Sequence, residues 1–280
     1  MTGRTRRTRR HAAAATCLGT VVAAAGYRRH ALSRSGALGA AVVGAITYGA
    51  GSWRWSAPLL AFFAGSSILS RLERGSTGGR AIAAMTERGS RRDLTQVLAN
   101  GGVGTLAALC QIVAPHPWLA WAFTGAYAAA NSDTWATEVG ALSPAPPRMI
   151  LSSRVAPPGT SGAITPVGLA GAMAGSAMIG IVAACSLKGP YPARRALAIT
   201  LAGMAGSLAD SLAGATIQAG YRCPACQEST ERKTHRCGTP TVLARGQGWC
   251  TNEIVNALCT AVGAAVAAGL TPSTSSAAAS

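Results

Sequence analysis

The sequence predicts an all-α integral membrane protein: a polytopic bundle of about six to eight transmembrane helices with a small cytoplasmic Cys/His loop. Only 12% of the 280 residues are charged, about half the share usual in soluble domains. Runs without charged residues cover 12–27, 36–53, 55–70, 94–132, 155–187, 196–209 and 254–280. Gly, Ala and Ser predominate in them, and small residues let helices pack closely in lipid. A soluble Ala-rich bundle is the alternative, and so many long uncharged runs argue against it.

The chain divides into an N-terminal segment, 1–35, a membrane domain, 36–270, a Cys/His loop within it, 219–251, and a tail, 271–280, expected to be disordered. The N-terminal segment joins "MTGRTRRTRR" to an uncharged run. This pattern is shared by spanning anchors, interfacial helices and cleaved leaders, and the sequence leaves all three open.

Seven spans are predicted after this segment, because crossing a bilayer takes roughly 20 mostly apolar residues. They are 36–53, 56–71, 97–114, 118–132, 164–186, 195–218 and 252–270. The run 94–132 is too long for one span, and Pro115 and Pro117 predict a tight turn between two.

The distribution of basic residues predicts the orientation. The segments expected to share one side are 28–35, 71–93, 131–163 and 219–251. They carry sixteen Lys and Arg, against four on the other side. The positive-inside rule places them in the cytoplasm, and we expect the plasma (inner) membrane. The aromatic residues expected in a belt at the opposite interface are Trp53, Trp55, Trp118 and Tyr191. The net charge of +16 therefore reflects orientation, and no basic helix or basic–aromatic module indicates nucleic acid.

The polar segment 88–102 leads into the third span. Asp93, Gln96 and Asn100 share one helix face, which Arg92 borders. An amide as close to the apolar run as Asn100 is costly without a partner, which favours a functional face. The alternative is an ordinary membrane helix with a polar first turn.

Two of the nine acidic residues, Asp133 and Glu138, end the fourth span in "NSDTWATEVGALS". Carboxylate oxygens suit Mg²⁺, which keeps several waters and bridges substrate phosphates. Five residues place two helical side chains about 140° apart. The two carboxylates could still converge if the helix ends near Gly140, or each could serve a different partner.

The next segment, "PPGTSG", predicts a phosphate-binding loop. Gly159 and Gly162 permit unusual φ values, and Thr160, Ser161 and the backbone N–H groups would hold an anion. Arg154 is near enough in sequence to add positive charge. A plain connecting loop is the alternative.

Asp210 interrupts the apolar sixth span, where an ionisable side chain is costly and indicates function. It belongs to a seam of small and polar residues spaced by three and four: Gly203, Ser207, Asp210, Gly214 and Gln218. This seam is expected to face Asp133, unless Asp210 is a structural group bonded to a neighbouring helix. Asn252 and Asn256 share one face at the start of the last span.

The loop "CPACQESTERKTHRC" holds candidate zinc ligands: Cys223, Cys226, His235 and Cys237. Because His235 and Cys237 are unusually close in sequence, Cys250 is an alternative to His235. A cytoplasmic location argues against a disulfide, and a redox C-x-x-C lacks its usual context. Four protein ligands would make the site structural.

Six motifs together resemble one integral-membrane family, catalogued as domain of unknown function ninety-two, over about 36–270. They are "FFAGSSILSR", "RRDLTQVLANGG", "NSDTWATEVGALS", "VAPPGTSGAITPVG", "GSLADSLAGATIQ" and "NEIVNAL". The family includes transmembrane protein nineteen and the plant phytyl-phosphate kinase. The resemblance implies a polytopic helical protein and, from the plant member, phosphate transfer from a nucleoside triphosphate to an isoprenoid monophosphate. Thr251 stands where the family commonly has an acid, and the Cys/His insertion looks like a prokaryotic version.

The resulting hypothesis is a membrane kinase that uses CTP or ATP on a prenyl monophosphate such as phytyl or farnesyl phosphate. Asp133 and Glu138, with Asp210, would hold Mg²⁺. The phosphate-binding or site-ordering residues would be Arg92, Asp93, Gln96, Asn100, Arg154, Gly159, Thr160, Ser161, Gly162, Asn252 and Asn256. The alternative is a carrier of a phosphorylated lipid or metabolite without nucleotide turnover. A third reading is a cytidylyl- or phosphoalcohol-transferase, which would release pyrophosphate or CMP.

Overall fold

Eight α-helices make up most of the described chain, a computed structural model of residues 2–74, 91–188 and 191–272. The helices are α1 (Thr2–Arg28), α2 (Arg34–Gly51), α3 (Trp53–Arg74), α4 (Leu94–Val113), α5 (Pro117–Gly140), α6 (Pro166–Ser186), α7 (Pro192–Thr216) and α8 (Asn252–Gly269). The structure is 67% helical, which confirms the predicted all-α class. Each predicted span corresponds to one helix, from α2 to α8.

Local sequence signals set the helix ends. Asp93 caps α4 in a capping box with Gln96, and the Thr165 hydroxyl caps α6 by accepting from the Gly168 amide at 2.9 Å. Pro117 and Pro166 occupy the first turns of α5 and α6, where proline costs no helical hydrogen bond. The predicted turn at 115–117 is confirmed, because it separates α4 from α5. The predicted end of the fourth span at 132 is too early, because α5 continues to Gly140.

Among the described helices, α4, α6, α7 and α8 are long and apolar enough to cross a membrane. Helix α5 packs against α3, α4, α6, α7 and α8. Because its polar residues face other helices rather than lipid, α5 needs less apolar character than its neighbours.

Small residues bring the helices together, as predicted. At the crossing of α5 and α8, a Cβ built on Gly125 would lie 2.3 Å from the Gly263 carbonyl oxygen. A side chain at this position would push the two backbones apart, so the crossing requires glycine.

The predicted connection at 54–55, between the first two spans, and the predicted belt position of Trp55 are both wrong. Helix α3 begins at Trp53, and only Ser52, at φ 59°, links it to α2. Trp55 therefore lies inside a helix and packs against Phe123 with ring centroids 4.7 Å apart, instead of joining the belt. Side chains two positions apart on a helix point about 200° apart, so Trp53 stays exposed while Trp55 is buried. Trp118 and Tyr191 are exposed, as the belt requires.

Two small antiparallel sheets, absent from the sequence-based prediction, lie at one end of the bundle. Strands β1 (Arg148–Met149) and β2 (Ala163–Ile164) pair within 141–165, and β3 (Gly220–Arg222), β4 (Ser229–Thr230) and β5 (Val242–Arg245) form a sheet of order β4–β3–β5. We call the end where 141–165 and 217–251 lie the loop end. Most of the predicted loop 71–93 and of the tail, namely 75–90 and 273–280, lies outside the described residues.

Candidate functional site

A cavity of about 650 Å³ opens at the loop end. We call it the acidic cavity, because Asp133, Asp210 and Glu231 line it together with Asn252 and the loop 158–162. Its described lining contains no Lys or Arg. Three carboxylates in one cavity supply the oxygen ligands that divalent cations such as Mg²⁺ prefer.

Asp133 is oriented by its two preceding residues. The Asn131 side-chain amide donates to the Gly175 carbonyl at 2.7 Å, and the Ser132 hydroxyl donates to the Ala172 carbonyl at 3.0 Å. Both bonds fix α5 against α6, so that the next side chain, Asp133, borders the cavity and is only 9% exposed.

Asp210 reaches the same cavity from α7. Asp133 and Asp210 therefore line one cavity from two different helices. The predicted seam borders the site from Ser207 onwards, whereas Gly203 packs against Ala128 of α5 and Ser176 of α6. Ser207 also lines the cavity, Gly214 packs against the glycine loop, and the Gln218 amide donates to Glu231 at 2.9 Å.

The glycine loop, 157–162, has the backbone shape that its sequence permits. Gly159 and Gly162 lie at φ 87° and 82°, in the left-handed region where side chains are strained. A Cβ on Gly162 would also approach the Ala215 nitrogen of α7 to 2.4 Å. The loop therefore packs directly on α7, with Thr160 and Ser161 along the cavity.

Glu138 lies outside the acidic cavity. It is buried and accepts a hydrogen bond from the Ser70 hydroxyl of α3, to which the Arg92 guanidinium donates at 3.4 Å. Helix α5 does end at Gly140, but the two carboxylates do not converge there, so that expectation is wrong. The helix is regular through both positions, so the 140° between Asp133 and Glu138 persists and each carboxylate serves a different partner.

A second, smaller cavity of about 90 Å³ lies beside α5, bounded also by α1 to α4. We call it the apolar cavity. Most of its lining is apolar, including Val43, Leu59, Phe62, Phe63 and Val97. Its polar lining comes largely from the start of α4, namely Arg92, Gln96 and Asn100, with Thr134 from α5. The predicted phosphate-binding residues are thus divided between two cavities.

Three predicted site residues have other surroundings. The Asp93 carboxylate accepts hydrogen bonds from the Gln96 backbone amide at 3.0 Å, as part of the capping box of α4, and from the Thr95 hydroxyl at 2.7 Å. The backbone amide of Gln96 is the main cause that lowers the pKa of Asp93. Arg154 is exposed and absent from the acidic cavity. Asn256 is buried, and its Oδ1 has no hydrogen-bond partner within the described chain.

The four predicted zinc ligands do meet. The ligand atoms of Cys223, Cys226, His235 and Cys237 all lie within 4.8 Å of one another. Cys250 is buried elsewhere, beside Ala213 and Val255, so the structure favours His235 over Cys250.

Glu231 was not predicted as a site residue from the sequence. Its position between two zinc-ligand pairs suggested only a loop, because nothing in the sequence tells that the loop folds back on the glycine loop. Ser211 was also not predicted; it lines the cavity, and its position directly after Asp210 was a usable signal.

Together, the long apolar helices define an integral membrane protein, and the acidic cavity lies at one end of its helical bundle. The chain belongs to the integral membrane protein family DUF92, which it matches over residues 17–264. Protein PGR of Arabidopsis thaliana is 31% identical over 230 residues, covering 73% of this chain and 78% of that protein.

Two microbial relatives are similar over much of the chain. An uncharacterised membrane protein of Methanocaldococcus jannaschii is 31% identical, covering 67% of this chain and 75% of its own length. An uncharacterised membrane protein of Synechocystis is 28% identical, covering 82% and 78%. No solved structure matches the chain significantly.

Proposed function

We propose that the protein is a membrane kinase that transfers phosphate from CTP or ATP to a prenyl monophosphate, such as farnesyl or phytyl phosphate. The observation that carries the proposal is the acidic cavity, where Asp133 and Asp210 face a glycine loop at the end of a membrane bundle. The motif resemblance to the family that includes phytyl-phosphate kinase supports the same reaction.

The residues of the acidic cavity suit a magnesium nucleotide. Asp133, Asp210 and Glu231 supply carboxylate oxygens beside the glycine loop, and such oxygens suit a divalent cation bound to a triphosphate. Asp133 and Asp210 would hold Mg²⁺, which would supply the charge that offsets the phosphates. The glycine loop lets backbone N–H groups approach the phosphates without a Cβ in between.

The apolar cavity suits the prenyl acceptor. Its aliphatic and aromatic lining matches the part of an isoprenoid chain next to the headgroup, and the Arg92 guanidinium matches an anionic headgroup. At about 90 Å³ the cavity has no room for the whole chain, so the rest of the chain would extend between the helices into the bilayer. Asp133 borders the acidic cavity and the next residue, Thr134, borders the apolar one. Both cavities therefore border the same turn of α5, and the acceptor phosphate would extend past this turn to reach the γ-phosphorus.

The reaction needs no general base. A phosphate oxygen of the prenyl monophosphate attacks the γ-phosphorus, and the bond from that phosphorus to the β-bridging oxygen breaks. The products are a prenyl diphosphate and the nucleoside diphosphate. The attacking oxygen is already ionised at neutral pH, so catalysis consists of positioning and charge neutralisation.

The test is a nucleotide-dependent assay on the purified protein in detergent, with farnesyl and phytyl phosphates and each of CTP and ATP. We expect prenyl diphosphate, and an approximately 100-fold or greater loss for Asp133→Asn and Asp210→Asn. Glu253→Gln is the matched control, since Glu253 lies at the same end but outside the acidic cavity. Undiminished activity of Asp133→Asn would refute the assigned metal role.

Other products would identify the other functions. Release of pyrophosphate or CMP would indicate a cytidylyl- or phosphoalcohol-transferase. Movement of a prenyl phosphate across vesicles without nucleotide consumption would indicate a carrier. The kinase proposal also places the loop end in the cytoplasm of a plasma-membrane protein, where CTP and ATP are available.

A further inference from the structure

The Cys/His cluster has the dimensions of a tetrahedral zinc site. Sγ of Cys223 and Sγ of Cys237 are 3.7 Å apart. Two thiolates bound at about 2.3 Å in a tetrahedron are separated by roughly 3.8 Å. All eight cysteines are free, so the pair is not a disulfide.

The surroundings of the cluster match those of bound metal. Glu228 Oε2 lies 3.1 Å from His235 Nε2, and His235 Nδ1 faces Cys237 Sγ at 3.1 Å. A carboxylate on the outer ring nitrogen is the usual way to orient a metal-binding histidine. The Cys226 amide points at Cys223 Sγ from 3.4 Å, within the turn between β3 and β4.

The sheet that carries this cluster contacts the glycine loop at two points. Glu231, directly after β4, accepts a hydrogen bond from the Ser161 hydroxyl. Arg245, at the end of β5, donates to the Ser161 carbonyl at 3.4 Å and to the Gly214 carbonyl of α7 at 2.7 Å. Both strands pair with β3, so Ser161 is held from two sides by one sheet.

We propose that Cys223, Cys226, His235 and Cys237 bind a structural Zn²⁺ ion, and that the zinc-held sheet clamps the glycine loop against α7 through Glu231 and Arg245. Four protein ligands leave no open position, so the ion serves folding rather than chemistry. A sheet of three very short strands is unstable alone, and the metal supplies the missing stability. The statement that the clamped glycine loop binds phosphate rests on the proposed function, whereas the zinc site and the clamp do not.

The metal is tested on the purified full chain by elemental analysis and by substitution with Co²⁺. We expect about one zinc per chain and the intense visible bands of tetrahedral cobalt bound to thiolates. Cys237→Ser should lose both, whereas Cys185→Ser, at an exposed site on α6, should keep them. Wild-type protein that takes up neither ion would overturn the zinc site.

The clamp is tested by hydrogen exchange of the peptide covering 157–165. Chelation of zinc, or Glu231→Gln with zinc retained, should speed exchange there by about tenfold or more. Glu253→Gln should leave it unchanged. Unaltered exchange after both treatments would reject the clamp. None of these measurements uses nucleotide turnover, so an inactive protein that binds zinc refutes only the kinase, and an active one without zinc refutes only this inference.

Discussion

Two polar side chains on α5 determine the position of the Asp133 carboxylate in the acidic cavity. Asn131 and Ser132 donate to carbonyls of α6. Each buried polar group left unpaired would cost about 1–3 kcal/mol, so these two bonds also hold α5 in one rotational setting. Asp133 borders the cavity only in that setting.

Asp93 gives a prediction at the same scale. Its carboxylate caps α4, so Asp93→Ala should lower the stability of the protein by about 1 kcal/mol in detergent, measured by thermal unfolding. Asp93→Asn keeps an acceptor oxygen and should cost less. A large loss of turnover in Asp93→Ala protein that is still folded would instead place Asp93 in the site.

The Asp93 cap also makes the stability of the protein depend on pH. The capping amide lowers the pKa of Asp93 in the folded state. Its contribution to stability is therefore complete above the unfolded-state pKa, about 3.9, and disappears as the pH falls through the lower folded-state value. Asp93→Ala should remove this part of the acid destabilisation, as seen by comparing unfolding at pH 7 and pH 3.

At the scale of elements, α5 separates two cavities of different character. The residues 133, 136, 137 and 140 border the acidic cavity, and Tyr127 and Thr134 border the apolar one. Helical geometry puts these sets on different faces. One helix thus presents a carboxylate to one cavity and an apolar wall to the other.

Glycine substitutions on α4 test the apolar cavity. Gly101 lines it, and a Cβ there would lie 3.5 Å from the Tyr127 hydroxyl oxygen, an ordinary contact. Gly101→Leu should therefore fold but fill the cavity, raising KM for farnesyl phosphate about tenfold or more while KM for the nucleotide is unchanged. Gly102→Leu is the control, because a Cβ there meets nothing within 4 Å. Equal effects of both would place the acceptor elsewhere.

Helices were predictable where the sequence carries a local signal, and contacts between loops were not. The uncharged runs and the prolines at 115 and 117 located α4 and α5, because span length and proline stereochemistry are local properties. The five-residue spacing of Asp133 and Glu138 correctly implied divergence, whereas the expectation that a helix end near Gly140 would bring them together was wrong. The role of Glu231 depends on a loop folding across 70 residues to Ser161, which no local pattern encodes. The strands are two to four residues long, too short to give a period.

At the scale of the whole molecule, the candidate residues gather at the loop end, while the turn at 115–117 lies at the other. An impermeant maleimide applied to intact cells should label His116→Cys and leave Ala145→Cys unmodified, with the sites identified by mass spectrometry. Both positions are exposed, so accessibility within the protein does not explain a difference. Permeabilised cells provide the control, in which both should react. Labelling of Ala145→Cys in intact cells would invert the orientation that the basic loops predict.

The position of α5 between the two cavities has a kinetic consequence for the proposed reaction. A water-soluble donor and a lipid-soluble acceptor would enter by separate routes, so that neither blocks the entry or exit of the other. Initial-rate plots against each reactant should then intersect, as in a sequential mechanism with random addition, rather than run parallel as when an intermediate is formed on the enzyme.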